Sequence, residues 1–182
     1  MKKLMLASFF LGAILMCGCG IFEKEPYRKV FYYDIGTPNT ESPCAALYEI
    51  KAVPMGPSED KMLFRSSPNQ LEYDEFNRWA SDPPELLKSY LKLALFCREG
   101  MESGKYVLQL DIFRFEMNLP ERSAECCLAF SLIDNEGKTT WRKLYQQKVE
   151  AKQANAGAFA EAMQTAVKEI SMQLAKDLQT IK

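Results

Sequence analysis

The sequence predicts an α+β fold: a two-layer sandwich in which a mainly antiparallel or mixed β-sheet carries two amphipathic helices on one face. Two observations predict it. Short aromatic and β-branched runs punctuated by Gly, Pro and Asn fill the first third of the chain, and apolar residues then alternate with a period of two between Lys105 and Val149. A stretch with a period near 3.6 interrupts the strands after Asp82, and a longer one closes the chain, so the order is strands, helix, strands, helix.

The first residues do not belong to that fold. Lys2 and Lys3 form a basic start, Leu4 to Leu15 an apolar stretch, and Met16-Cys17-Gly18-Cys19 the end of the leader. A plain secretory signal needs no cysteine at its end, whereas a bacterial lipoprotein signal places one directly after a small residue, with an aliphatic residue three before it. Gly18 and Met16 take those two places, which marks Cys19 as the lipidated first residue of the mature chain; Met16 is too bulky to precede a cut at Cys17. About 16 apolar or small residues are also short for a bilayer core of ~30 Å. The expected organisation is a signal peptide over 1–18, a lipidated tether over 19–28 and one domain over 29–182. Acyl chains such as palmitate then anchor the protein to a membrane without spanning it. Gly20 and Ile21 follow the cysteine with no aspartate to signal inner-membrane retention, so the expected location is the outer membrane, facing the periplasm.

Within the domain, Lys29 to Ile35 reads as a first strand stopped by Gly36-Thr37-Pro38-Asn39, and Ala45 to Val53 as a second stopped by Pro54. The turn Gly56-Pro57-Ser58 leads to a third strand at Lys61 to Arg65, and after Ser66-Ser67-Pro68-Asn69 extended structure resumes from Gln70 to Tyr73. Asp82-Pro83-Pro84-Glu85 is a helix start: aspartate caps, proline suits the first turn, and glutamate three residues on fits a capping box. Leu86, Leu87, Tyr90, Leu91, Ala94 and Leu95 follow at helical spacing, with Gly100 as the stop.

Next, Tyr106, Leu108, Leu110 and Ile112 share one strand face before Phe113 and Phe115 take over on the other, which predicts a bulge near Ile112. Cys126, Leu128, Phe130 and Leu132 then point inward. After the turn Asp134-Asn135-Glu136-Gly137 the chain returns through Trp141 and Tyr145 to Val149, completing an antiparallel meander. Phe159, Met163, Val167, Ile170, Leu174, Leu178 and Ile181 recur every three or four residues along a final helix of about 25 residues. Its opposite side mixes Glu, Gln, Lys and Asp without a basic excess, which favours packing on the sheet over a membrane-surface role.

Composition narrows the function. The leader carries two lysines and no acid, leaving 164 residues with 21 basic and 24 acidic side chains, a net charge of −3 that advertises no nucleic-acid partner. Histidine is absent, which removes the usual general base and the commonest metal ligand, so no cofactor or metal is expected. Cys44, Cys97, Cys126 and Cys127 fit no zinc spacing; an oxidising compartment allows disulfides among them, with the pairing open. Cys126 and Cys127 point to opposite faces of a strand and do not bond each other.

The block from Leu63 to Pro84, with Arg65 on a strand, then Tyr73, then a Trp79-Ala80 step opening the first helix, resembles the signature region of the ABC-type transport auxiliary lipoproteins, the PqiC-like family. The resemblance extends to Phe31-Tyr32-Tyr33, to the central meander and to the Ala-rich final helix from Ala154 to Leu178. It implies a non-enzymatic part beside an inner-membrane ABC permease and a periplasmic mammalian-cell-entry (MCE) protein that carries lipid, with the lipoprotein docking that carrier at the outer membrane and relatives assembling as rings.

Arg65, Asn69, Tyr73, Asn77, Arg78 and Trp79 are the expected partner-binding residues, because Trp, Tyr and Arg give large contact area and several donors at small entropic cost. Three of them have a structural alternative. Trp79 fits a staple between helix and sheet, and Arg65 and Arg78 fit ion pairs with Glu72, Asp74 or Glu75. An enzyme built on Asp74 and Glu75, or on Cys97 without a histidine, lacks a workable site. A structural lipoprotein that activates a cell-wall synthase or joins a secretion assembly is the stronger rival. Direct lipid carriage in a groove between the long helix and the sheet is the third reading.

Overall fold

A computed structural model of the chain describes residues 27–38, 47–54, 59–95 and 105–181. Cys19 with its leader and most of the tether, the turn at 56–58, Cys44, Cys97 and the expected helix stop at Gly100 lie outside the described residues.

Strands β1 (Phe31–Tyr33), β2 (Leu47–Pro54), β3 (Lys61–Ser67) and β4 (Gln70–Trp79) precede helix α1 (Pro83–Leu95); β5 (Tyr106–Asn118), β6 (Ser123–Asp134) and β7 (Thr139–Glu150) precede helix α2 (Ala156–Thr180). The fold is α+β, as the change of period predicts. The seven strands form one mixed sheet in the order β1-β4-β3-β5-β6-β7, with β2 also on β5. Strand β5 is the hub. Its first half pairs in parallel with β2, its end meets β3 in parallel at Met117 and Asn118, and its other edge pairs antiparallel with β6 throughout.

The predicted bulge lies between Ile112 and Arg114, and it corrects one expectation. Phe115 does not move to the opposite face. The extra residue resets the alternation, so Leu108, Leu110, Ile112, Phe115 and Met117 all face the buried side, while Phe113 is extruded to 47% exposure. Across from them Ala124, Cys126, Leu128, Phe130 and Leu132 continue the same apolar face on β6.

Strand β4 also runs further than its sequence suggests, to Trp79 and not to Tyr73. Its acidic middle has poor strand propensity, but pairing with β3 on one side and β1 on the other overrides that preference. Trp79 therefore ends a strand; α1 starts four residues later, where the Asp82 carboxylate accepts from the Glu85 N–H at 3.3 Å.

Both helices contribute to one buried cluster with the sheet. Leu87, Leu91 and Leu95 line the inner side of α1, which packs on β2. Six of the seven apolar positions predicted for the last helix, Phe159, Met163, Val167, Ile170, Leu174 and Leu178, are buried against β6 and β7. Ala160, Ala162 and Ala166 on the same helix let the backbone approach the sheet closely. Asn155 caps α2, its side-chain oxygen accepting from the Ala158 N–H at 2.9 Å.

Gly36 marks where the chain leaving β1 meets α2. Its φ is +68°, which strains any side chain there, and a Cβ would lie 2.1 Å from Gln164 Nε2 and push that flexible amide aside.

Four rings join the two layers. Phe159 of α2 lies 5.5 Å from Trp79 and 5.6 Å from Phe64, and Trp79 lies 5.2 Å from Phe115, all at tilted or edge-on angles. At the other end of α2, Asp177 accepts from the Lys143 ammonium at 2.6 Å and from the Tyr145 hydroxyl, tying the helix to β7. Lys143 and Tyr145 hold the Asp177 carboxyl below its ordinary value of 3.8.

Two outcomes follow. Trp79→Ala removes the ring shared by β4, β5 and α2 and lowers unfolding free energy by about 3–5 kcal/mol in urea titration. A carboxyl with a depressed folded pKa adds stability above its unfolded value and loses it as pH falls through the folded one. Asp177→Asn therefore costs about 1 kcal/mol at neutral pH, solvent screening included. It also flattens the decline of thermal midpoint below pH 4 relative to the parent.

Candidate partner-docking site

The six expected docking residues all fall on the β3–β4 hairpin, but the hairpin does not present them as one surface. Between the pairs Lys61–Arg78 and Leu63–Tyr73, β3 advances two residues and β4 five, so β4 carries three extra residues in a wide bulge. Asp74 shapes it. One carboxylate oxygen accepts from the Phe76 and Asn77 N–H groups at 2.8 and 2.9 Å, and the other accepts from Asn77 Nδ2 at 2.7 Å. Tyr33 of β1 donates its hydroxyl to Asn77 Oδ1 at 3.2 Å, which ties the bulge to the neighbouring strand.

Arg65 lies near the hairpin tip on the sheet face away from the helices. Its guanidinium forks onto Glu116 of β5, with Nε–Oε1 at 2.5 Å and Nη2–Oε2 at 3.0 Å, and Nη1 donates to the Pro68 carbonyl at 2.8 Å. Glu116 is only 3% exposed, and its charge raises the Arg65 pKa further. Arg114 extends the network, 3.6 Å from Glu116 and 2.5 Å from Glu125, which also accepts from Asn118 at 3.0 Å. Arg65 thus pairs across the sheet and not with Glu72, Asp74 or Glu75. Arg78 likewise pairs elsewhere, with Asp60 at 3.3 Å.

Trp79 is fully buried, so its indole offers a partner no surface; its ring joins the sheet to α2 through Phe159. Among the described residues its Nε1 finds no hydrogen-bond acceptor. Asn77 is held by Asp74 and Tyr33. Of the six, Asn69 at the exposed turn and Tyr73, 45% exposed with the Lys61 ammonium 5.7 Å from its ring centre, are the open ones.

The bulge borders a groove instead. Beyond the start of α2, a cavity of about 500 Å³ opens between β4, the end of β5 and the residues that lead into the helix. Phe64, Tyr73, Phe76 and Leu119 supply its apolar lining, Glu72, Asp74 and Glu75 its acidic side, and Asn155 and Ala156 the helix end. Arg28, in the segment arriving from the N-terminus, stacks its guanidinium 5.1 Å over Phe76. Sequence reading missed Glu72, Glu75 and Phe76 as site residues because it assigned the acids to the arginines. Their convergence with Leu119 and Asn155 joins segments some 45 and 80 residues apart, and the only local trace was the run of acids around Tyr73.

Chemistry elsewhere is sparse. Burial pushes the Cys126 thiol far up and raises that of Cys127 as well, the latter opposed by Arg114, so neither is an activated nucleophile. Among the described residues no group of three or more His, Cys, Asp or Glu is placed to hold a metal ion, and no helix is long and apolar enough to cross a membrane. The seam between α2 and the sheet, where an acyl chain was considered, is filled by Phe159, Met163, Val167, Ile170 and Leu174, each at most 1% exposed.

A family model described as the ABC-type transport auxiliary lipoprotein component matches residues 53–175. Protein XCC0632 from Xanthomonas campestris, a solved structure of family DUF330, aligns over 84% of this chain and 100% of its own with a TM-score of 0.65 at 17% identity. A second solved structure, titled only as an uncharacterized protein, aligns over 83% of this chain and 99% of its own with a TM-score of 0.68 at 12% identity. Both share the fold. Among curated proteins no relative matches.

The Arg65–Glu116 pair is expected to serve stability and not docking. Arg65→Met takes the forked partner from the buried Glu116 carboxylate, leaving it Arg114 at 3.6 Å, and costs about 3 kcal/mol in chemical denaturation, the low end of the range because that second cation remains. Adding Glu116→Leu recovers most of that loss.

Proposed function

The chain belongs to the ABC-type transport auxiliary lipoprotein family, and from that premise we propose that it is a non-catalytic component of an MCE/ABC-type lipid transport system, held at the outer membrane by acyl chains on Cys19 and docking the periplasmic carrier there. The observation that carries this reading is the family match, which spans the β3–β4 hairpin, the meander and most of α2. Three features support it. The leader ends in the Gly18-Cys19 step of a lipoprotein signal. Histidine is absent from the chain, and the described thiols are held protonated, which leaves recruitment and positioning as the workable roles. The filled seam under α2 favours docking a carrier over carrying lipid within this domain.

The geometry of attachment fits docking. Eight residue steps lead from Cys19 to Tyr27, a reach of about 26 Å at ~3.3 Å per residue, so the body stays within one domain diameter of the lipid surface. Arg28 seated on Phe76 brings that short leash in beside the groove. A partner that meets the groove is thereby held close to the membrane, and its effective concentration there rises without any new contact.

Cys19→Ser is expected to abolish incorporation of labelled palmitate and to move the protein from the membrane fraction to the soluble one. The parent, solubilised in mild detergent, is expected to bring down an MCE-type protein and an ABC permease identified by mass. Recovery of a cell-wall synthase or a secretin in their place overturns the proposal.

A further inference from the structure

Taking the docking role as given, we infer that the groove beside the β4 bulge receives an extended peptide segment of a partner protein in which lysine or arginine alternates with apolar side chains. The inference names the chemistry of the occupant, and it rests on charge complementarity and on how the rings at the site are already used. Three carboxylates line the groove, and among its described lining residues there is no lysine or arginine. Asp74 is spent on the backbone and side chain of its own bulge. Among the described residues Glu72 accepts only from the neutral Gln70 amide at 3.0 Å and Glu75 makes no ion pair, so these two carboxylates have no cation there. By contrast, on the rest of the sheet Arg65 and Arg114 answer Glu116 and Glu125, Arg142 answers Asp111, and Lys143 answers Asp177 of α2.

The aromatic lining points the same way. Phe76 holds the Arg28 guanidinium at 5.1 Å and Tyr73 holds the Lys61 ammonium at 5.7 Å. Two rings of the groove thus already present a face to a cation of the same chain, and the geometry falls within the range of cation–π attraction. A cation arriving on a partner meets the Glu72 and Glu75 carboxylates, while its apolar neighbours reach Phe64 and Leu119 on the floor. An anionic lipid headgroup meets the opposite: the acids repel it, and the first free donors of α2 are partly answered by Asn155, which accepts from Ala158.

The test uses the full-length lipidated protein in phosphatidylcholine nanodiscs and a fluorescein-labelled hexapeptide of alternating lysine and valine, read by fluorescence anisotropy against empty discs. The expected result is saturable binding that weakens with added salt, falls about tenfold or more in the double variant Glu72→Gln, Glu75→Gln, and disappears when glutamate replaces lysine in the peptide. Both substituted residues are exposed, and Glu136→Gln in the β6–β7 turn serves as the matched surface control with unchanged binding. Equal binding to the double variant overturns the inference. So does saturable binding of short-chain phosphatidylglycerol that the double variant loses, which assigns the groove to a lipid headgroup, or self-association that the double variant loses, which assigns it to a second copy. Loss of peptide binding to the parent with the permease still co-purifying sinks the groove alone; peptide binding without the permease sinks the auxiliary role alone.

Discussion

The contact of Phe159 with Trp79 is the one on which both layers depend. Phe159 is in the first turn of α2, Trp79 is the last residue of β4, and Phe64 and Phe115 close around them from β3 and β5. The cluster therefore joins the N-terminal hairpin to the C-terminal meander through side chains. Backbone pairing between those halves is brief where β3 meets β5, at Phe64–Met117 and Arg65–Asn118. Burial of four large rings supplies what two ladder pairs do not. It also explains why Trp79 tolerates an indole N–H without an acceptor: the apolar contacts on either side outweigh the cost of that one donor.

The same hairpin carries its polar residues in two different states. On the helix-free face, Arg65 is neutralised by Glu116 with fork geometry, and Arg114 and Asn118 complete the acceptors of the two buried glutamates. Such a network fixes register between β3, β5 and β6, since a slip of one residue would strand each charge on the apolar side. On the side of the groove the acids are left uncompensated above an apolar floor. The paired and the unpaired acids are thus separated by the thickness of one sheet.

Much of this was legible in the sequence, for reasons that individual residues make plain. The spacing of Phe159, Met163, Val167, Ile170, Leu174 and Leu178 specified the buried stripe of α2, and Asp82 specified where α1 starts, because caps and periodicity are local signals. Ile181, read as the seventh member of the stripe, falls past the last turn as the C-cap. The change of phase at Ile112 revealed a bulge but not its consequence, since alternation alone cannot say whether a face is exchanged or restored. Trp79 was read as the opening of a helix because Asp82, Pro83 and Pro84 stand so near, while what keeps it in a strand is β1, paired from 46 residues upstream. The partner of Arg65 lies 51 residues away, so nearby acids looked sufficient. The groove was the least visible feature, being made by three segments none of which is unusual by itself.

Parallel pairing sets an order of assembly. From Tyr106 to Thr180 each element meets one that follows closely in the chain: β5 with β6, β6 with β7, and α2 back across both. Before that stretch β3 and β4 pair with each other locally, but β2 and the open edge of β3 have no such option. Strand β2 needs β5, which lies some 60 residues downstream, and β3 needs its far end. Because synthesis proceeds from the N-terminus, the half of the protein made first must wait, with its apolar strand faces uncovered, for a template made later.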